Sequence, residues 1–208
     1  MPNSNKIILD LCGGTGGWSN PYKDAGYDVR VITLPDNDVF TYDPPENVYG
    51  ILAAPVCTHF SFCRTNAKED RDLETAMKLV KRCLDIIWQQ QYQLPSRYSK
   101  KTTLKFWALE NPRGFLQRFL GHPPLEFSPY EYGDEHKKRT HIWGNFNIPK
   151  KTPVDCQKPK WDHTLMEEYR QRIPKGFKYN PGCGMTLRGV IRSITPPGFA
   201  KAFFEANR

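Results

Sequence analysis

Residues 6–17, KIILDLCGGTGG, decide the fold, because an apolar run leads through a turn of glycines into the next element. The run that ends at Leu11 is β-branched and apolar, which predicts a first strand. Residues 18–26 then predict a helix, and residues 29–34 predict a second strand. Glycines at such a turn let a ligand approach the backbone at the start of a helix. The turn lacks the GK[ST] of a P-loop, and Ser19 replaces the last glycine of a GxGxxG motif.

Strand and helix patterns continue to alternate along the chain. Residues 49–54 and 104–109 predict buried strands, and residues 73–88 between them carry apolar side chains at helical spacing. Residues 140–146 predict a later strand, and residues 197–207 predict a closing helix that starts with proline. This alternation predicts an α/β domain with a mostly parallel sheet and helices on both faces. Ligands of such sheets bind at the C-terminal ends of the strands.

The composition is that of a globular protein. The chain has 208 residues, of which 38% are hydrophobic and 25% charged, which excludes a disordered or collagen-like protein. Its length predicts a single domain over residues 1–208. We expect a cytoplasmic protein without membrane contact, because no apolar run reaches the roughly 18 residues that span a bilayer and no signal peptide is evident. Six cysteines form no CxxC pair, which favours free thiols.

Positive charge is concentrated in one part of the chain. The formal net charge is +8, and residues 137–192 alone carry 13 Lys and Arg against 4 Asp and Glu, a balance of +9. Such a segment suits a polyphosphate surface, although a solvated basic face gives the same pattern. Residues 147–185 mix Pro, Gly, Lys and aromatic residues without a clear period, which indicates an irregular basic insert. Its candidate nucleic-acid contacts are Lys150, Lys151, Lys158 and Lys160.

A thiol and a carboxylate follow two of the predicted strands. Residues 54–61, APVCTHFS, place Cys57 at the mouth of the sheet, where a cysteine can act as a nucleophile. Glu110 and Asn111 follow another buried strand, so both groups are expected at the same sheet edge. A glutamate beside a thiol suits acid or base work. Cys156, His163 and Cys183 fit no standard zinc spacing, and we expect no metal.

These residues, in this order, resemble the DNA (cytosine-5) methyltransferase family over most of the chain. In detail the resemblance is closest to a compact, virus-encoded branch, which would act in the host cytoplasm. It implies a Rossmann-like, class I S-adenosylmethionine-dependent methyltransferase fold, with S-adenosylmethionine as cofactor and DNA as partner. Residues 147–185 stand where most members have a long target-recognition domain. The resemblance therefore implies relaxed or very short sequence specificity, and leaves open whether a protein partner supplies more.

The resemblance also implies roles for individual residues. Cys57 would be the nucleophile, Glu110 the acid, and Arg139 the group that holds the carbonyl of the target base. Ser61 and Lys137 would contact the nucleic acid, the lysine at a phosphate. The implied cofactor-binding residues are Asp10, Leu11, Gly13, Gly14, Thr15, Gly16, Gly17, Asp38, Val39, Pro55 and Ser193.

The implied chemistry explains why these residue types are needed. C5 of cytosine is a poor nucleophile, so a thiolate first adds at C6 while an acid stabilises the charge that develops at N3. C5 can then take a methyl group from the sulfonium, and loss of the C5 proton with elimination of the thiolate restores the ring. A base stacked in duplex DNA cannot be reached in this way and must be flipped out.

Some positions depart from the family, and two other interpretations stay open. Val56 stands where the family has the proline before the nucleophile, and Cys12 replaces a usual aromatic residue. Methylation of RNA or of a free pyrimidine nucleotide is one alternative, because a recognition domain is lacking. The other is a catalytically silent nucleic-acid-binding protein that keeps the fold and the basic face.

Overall fold

The computed structural model of the chain describes residues 3–65, 69–92, 103–156, 161–178 and 186–208. The strands are β1 (Ile7–Leu11), β2 (Asp28–Ile32), β3 (Val48–Ala53), β4 (Phe106–Pro112), β5 (Leu125–Phe127) and β6 (Thr140–Asn145). The helices are α1 (Asn20–Asp24), α2 (Leu73–Gln91), α3 (Gln117–Leu120), α4 (His163–Arg170), α5 (Leu187–Ser193) and α6 (Pro197–Ala206). Short 3₁₀ helices span Asn3–Asn5 and Pro129–Tyr132.

The six strands form one sheet in the order β2-β1-β3-β4-β6-β5. The first four are parallel, whereas β6 is antiparallel to β4 and β5 is antiparallel to β6. The strand order reverses between β1 and β3, since the chain turns from β1 to β2 on one side and then to β3 on the other. A crevice opens at the carboxyl ends of strands at such a point, and ligands of α/β sheets bind there.

Apolar side chains cover both faces of the sheet. Leu9 and Ile51 face the cluster that contains the buried residues of α2, including Ile86. Ile8 and Leu52, which are next to them in sequence, point to the opposite face because side chains alternate along a strand. They pack with the aromatic side chains of α1 and α6. The predicted α/β architecture, a mostly parallel sheet with helices on both faces, is confirmed. Within the described part of the chain, no helix is long and apolar enough to cross a membrane.

Two local predictions were wrong. The fourth strand was expected to end at residue 109, but β4 continues to Pro112 because β6 pairs with it as far as Thr140. The insert was expected to be irregular, but it contains α4. Asp162 caps this helix by accepting a hydrogen bond from the backbone N–H of Leu165 at 2.8 Å. Leu165 and the next-turn residue Tyr169 are buried against α5.

Candidate active site at the carboxyl edge of the sheet

The glycine turn after β1 has a tightly packed inner side and an open outer side. A Cβ atom at Gly13 would lie 2.3 Å from Cγ of Asp10, so only glycine fits there. At Gly14, which has a φ of +54°, no heavy atom lies within 4 Å of the place where a Cβ would stand. Cys12 also has a positive φ, +56°, which is uncommon for a residue other than glycine. The turn therefore has the shape of a cradle with free space above Gly14.

Asp10 and Leu11 lie beneath this turn and have no exposed surface. Ser19 donates a hydrogen bond from Oγ to Oδ2 of Asp10 at 2.6 Å. The other carboxylate oxygen, Oδ1, has no hydrogen-bond partner among the described residues. Burial raises the pKa of Asp10 from an ordinary value of 3.8 to about 6, although the bond from Ser19 opposes the rise. These two side chains shape the turn from below and offer no surface to a bound molecule.

The other predicted cofactor residues surround the same crevice or support it. A Cβ at Gly17 would contact Ile194 and Thr195 at 3.4–3.6 Å, so the turn abuts the junction of α5 and α6. Asp38 follows β2 and accepts a hydrogen bond at Oδ1 from the N–H of Phe40, at 2.9 Å. Val39 is only 5% exposed and belongs to the core, which leaves its backbone rather than its side chain for a ligand.

Two more of the predicted cofactor residues have partners within the protein. Ser193, at the end of α5, donates its hydroxyl to the carbonyl of Val190 at 2.8 Å. The carbonyl of Pro55 accepts a hydrogen bond from Nδ2 of Asn111 at 2.9 Å, and this bond is buried. Asn111 therefore fixes the backbone that leads from β3 to Cys57. The sequence puts Asn111 directly after Glu110, but the sequence pattern does not show this positioning contact.

Cys57 begins a tight turn after β3. Its carbonyl accepts hydrogen bonds from the N–H groups of Phe60 and Ser61, at 3.0 and 2.9 Å. The turn is held by the segment after β4, because the N–H of Phe115 donates to the carbonyl of Phe60 at 2.8 Å. Ser61 accepts at Oγ from the N–H of Cys63, at 3.2 Å. Backbone bonds thus fix the position of the thiol at this edge of the sheet.

Cys57 lies close enough to Glu110 for the carboxylate to affect the ionisation of the thiol. Burial raises the pKa of the Cys57 thiol, and the negative charge of Glu110 raises it further. Burial also raises the pKa of Glu110, and the charge of Lys138 opposes the rise in both groups. Arg192 at the end of α5 also lowers the pKa of the thiol. The arrangement therefore favours the protonated form of both groups, and the charges of Lys138 and Arg192 offset part of this effect at the thiol.

The structure does not bring Arg139 to this pair. Lys138 and Arg139 both precede β6, and it is the charge of Lys138 that acts on Cys57 and on Glu110. Ile142 lies opposite Glu110 in the β4–β6 register. Nε of Arg139 lies 4.0 Å from Oε1 of Glu126, whose Oε2 is 2.7 Å from Nε2 of His141. The cation whose charge acts on both the thiol and the carboxyl is therefore Lys138, and the contact of Arg139 with the target base stays a prediction.

Only some of the predicted nucleic-acid contacts fall in the described part of the chain. Lys137 and Lys150 are exposed. Lys151 forms an ion pair with Glu131, which offsets its charge. Lys158 and Lys160 lie outside the described residues, as does Cys183 of the set considered for zinc. Among the residues that are described, no group of three His, Cys, Asp or Glu side chains could hold a metal ion.

Comparisons with known proteins find distant likeness among solved structures. A scan against models of protein families finds no match, and a search of curated proteins finds none either. Among solved structures, the chain is similar to a crystal structure of a mutant of Spodoptera frugiperda DNMT2, with 16% identity and a TM-score of 0.39. The match covers 80% of this chain and 64% of that one. The functional assignment therefore depends on the geometry of the site.

Proposed function

We propose that the protein is an S-adenosylmethionine-dependent enzyme that methylates C5 of cytosine in DNA through a covalent Cys57 adduct. The observation that carries the proposal is the meeting of Cys57 and Glu110 at one sheet edge, with Lys138 beside them. The glycine turn after β1 opens at the same edge. A nucleophile, an acid and a cradle for a cofactor are the parts that this reaction requires.

Cys57 performs the first step of the proposed reaction. Its thiolate forms a bond to C6 of cytosine, and the electron pair of the C5–C6 double bond moves towards C5 and the N3–O2 side of the ring. Lys138 favours the thiolate form by its charge. A thiolate is the nucleophilic form of cysteine, so this cation offsets part of the cost of burial.

Glu110 stabilises the charge that forms on the ring. Because burial raises its pKa, the carboxyl keeps its proton at a higher pH than an exposed glutamate does, and can donate a hydrogen bond to N3. C5 then takes the methyl group. Loss of the C5 proton to a base and cleavage of the Cys57–C6 bond restore the aromatic ring and the free thiolate.

The cradle after β1 fits the cofactor. Gly13 lets the turn close onto Asp10, and Gly14 leaves its outer side open. Backbone groups of Gly14 and Thr15 would hold S-adenosylmethionine there, with Asp38 beyond β2 as the acid for its adenine. When bound, S-adenosylmethionine supplies a methyl group made electrophilic by the sulfonium.

Relaxed or short sequence specificity is the finer part of the proposal. The insert, residues 147–185, is short, and its lysines favour phosphate contacts, which position a protein without reading bases. Base-edge readout needs several side chains in fixed geometry within a groove. Lys150 is exposed, as a phosphate contact requires.

A substrate panel tests this function directly. The full chain is incubated with labelled S-adenosylmethionine and, separately, duplex DNA, single-stranded DNA, RNA and dCMP, and the labelled base is identified after digestion. We expect 5-methylcytosine from DNA, and no label with Cys57→Ser. Label in RNA or dCMP alone would contradict DNA as the substrate. DNA binding without label in any substrate would support a silent binding protein instead.

A further inference from the structure

Beside the nucleophile turn, three phenylalanines lie on one surface. Phe62 and Phe115 contact each other edge to face, with ring centroids 5.0 Å apart and planes at 84°. Phe119, on α3, contacts Phe60 with centroids 6.4 Å apart. Phe60 fills the core, but Phe62 is 40% exposed and Phe119 50%. Half-exposed aromatic rings on two segments that pack together leave apolar area in water, which is a feature of binding surfaces.

Arginines surround these rings. The guanidinium carbons of Arg71 and Arg118 lie 5.0 and 5.2 Å from the centroid of the Phe115 ring. Arg71 also donates to the carbonyls of His59 and Arg64, at 2.7 and 3.4 Å, and so holds the nucleophile turn in place. We call Phe62, Phe115, Phe119, Arg113 and Arg118 the Arg–Phe surface.

The two outer arginines keep their charge free for a ligand. Arg113 and Arg118 are exposed, and neither lies within 4.0 Å of a carboxylate among the described residues. The segments that carry the surface, residues 57–65 and 113–122, contain no acidic residue. Acidic residues lie on the adjacent segment, at Glu69, Asp70, Asp72 and Glu74. Rings and unpaired guanidinium groups together suit bases and phosphates.

The Arg–Phe surface is fixed to the nucleophile turn by the backbone. The N–H of Phe62 donates to the carbonyl of Arg113 at 3.4 Å, next to the bond between Phe115 and Phe60 already described. A Cβ at Gly114 would lie 2.1 Å from the carbonyl oxygen of Phe60, so the two segments approach as closely as glycine permits. The Arg–Phe surface is therefore part of the same rigid unit as the turn that begins at Cys57.

We propose that the Arg–Phe surface binds unpaired bases of the DNA strand that carries the target cytosine. Phe62 and Phe119 stack on bases next to the target, and Arg113 and Arg118 contact the phosphates between them. Paired bases inside a duplex expose edges rather than faces, so the rings select single-stranded or locally opened DNA. The proposal rests on the proposed function for its choice of DNA and of the target base.

Binding of a cytosine-free oligonucleotide tests the surface apart from the chemistry. The full chain is titrated into fluorescently labelled dT20 and, separately, into an abasic oligomer of the same length, and anisotropy gives the two dissociation constants. We expect Phe62→Ala and Phe119→Ala each to weaken dT20 binding by roughly 5-fold or more, the effect of losing one base-stacking ring. Phe62→Tyr, which keeps a stacking face, should bind dT20 like the unmodified chain.

Two comparisons make the result specific to stacking. Neither alanine variant should change binding of the abasic oligomer, which has phosphates but no bases. Trp88→Ala is the matched control, because Trp88 is also an exposed aromatic residue, with 55% of its surface exposed. It lies on α2, about 22 Å along the helix from Leu73, the end of α2 that is close to Arg71. It should leave both dissociation constants unchanged.

Unchanged dT20 binding by both alanine variants would overturn the proposal, and so would an equal loss on the abasic oligomer. Failure of the surface is distinguishable from failure of the proposed function. If the proposal for the surface fails, DNA is still methylated through Cys57, but the alanine variants bind dT20 with the dissociation constant of the unmodified chain. If the proposed function fails instead, the unmodified chain does not methylate DNA, but Phe62→Ala and Phe119→Ala still weaken binding of dT20 and not of the abasic oligomer.

Discussion

Replacement of Asp10 by Asn should make stability less dependent on pH, because this carboxyl is completely buried under the glycine turn. Its one side-chain hydrogen bond comes from Ser19, and burial dominates its ionisation. Asn has the same shape and can accept the same bond. The substitution Asp10→Asn therefore removes the charge while changing little else in the packing.

The size of the effect follows from the pKa. A rise from 3.8 to about 6 on folding corresponds to about 3 kcal/mol, at 1.36 kcal/mol for each pH unit. The folded chain binds a proton between these values that the unfolded chain releases. Below pH 3.8 Asp10 is protonated in both states and does not lower the free energy of unfolding. Above pH 6 it is ionised in both states, and the free energy of unfolding is lowered by the full amount. Most of the change should appear between pH 4 and pH 7.

Urea unfolding at a series of pH values measures this effect. Asp134, whose pKa burial also raises to about 6, titrates in the same range in both proteins. The quantity to follow is therefore the free energy of unfolding of the unmodified chain minus that of Asp10→Asn. We expect this difference to fall by about 2–3 kcal/mol from pH 4 to pH 8. A flat difference, or one that rises with pH, would refute the reasoning.

Three further predictions concern the site and the insert. Glu110→Gln should lower turnover about 100-fold with little change in cofactor affinity, measured by steady-state kinetics and calorimetry; an equal loss of affinity would place Glu110 in the cofactor site. Lys138→Met should raise the pKa for alkylation of the nucleophilic thiol, measured by peptide mapping against pH, and slow alkylation at pH 7 roughly 10-fold, whereas Arg139→Met should not; the reverse order would contradict the placement of Lys138 beside Cys57. Lys150→Gln should reduce the log–log salt slope of DNA binding by about 0.9, and Lys151→Gln, which loses a lysine already paired with Glu131, should reduce it less; an unchanged slope for Lys150→Gln would exclude Lys150 as a phosphate contact.

Local patterns were sufficient to predict much of the fold. The first strand, the glycine turn and the long helix α2 each depend on residues close in sequence, so period and composition reveal them. Helix α4 also depends on residues close in sequence, but the mixed composition of the insert made it hard to recognise. Asp162 three residues before the buried Leu165 is a capping signal that would have found it.

The rest of the site depends on pairing between distant segments. The extension of β4 to Pro112 needs β6, which lies some thirty residues later in the chain and runs antiparallel to it. The same register puts Ile142 opposite Glu110, and the segment just before β6 brings the charge of Lys138 to that carboxyl. A one-residue change in register exchanges the two faces of a strand, and sequence pattern alone does not fix that register. The bond from Asn111 to Pro55 likewise joins the ends of two strands.

A covalent complex with DNA that contains 5-fluorocytosine tests the central claim most directly. The fluorine at C5 cannot leave as a proton does, so elimination stalls after methyl transfer and Cys57 stays bonded to C6. Incubation with S-adenosylmethionine, denaturation and peptide mass spectrometry should find one adduct, on the peptide that contains Cys57, and none with Cys57→Ser. Absence of an adduct from an enzyme that methylates normal DNA, or an adduct on the exposed Cys63 instead, would contradict the assignment of Cys57 as the nucleophile.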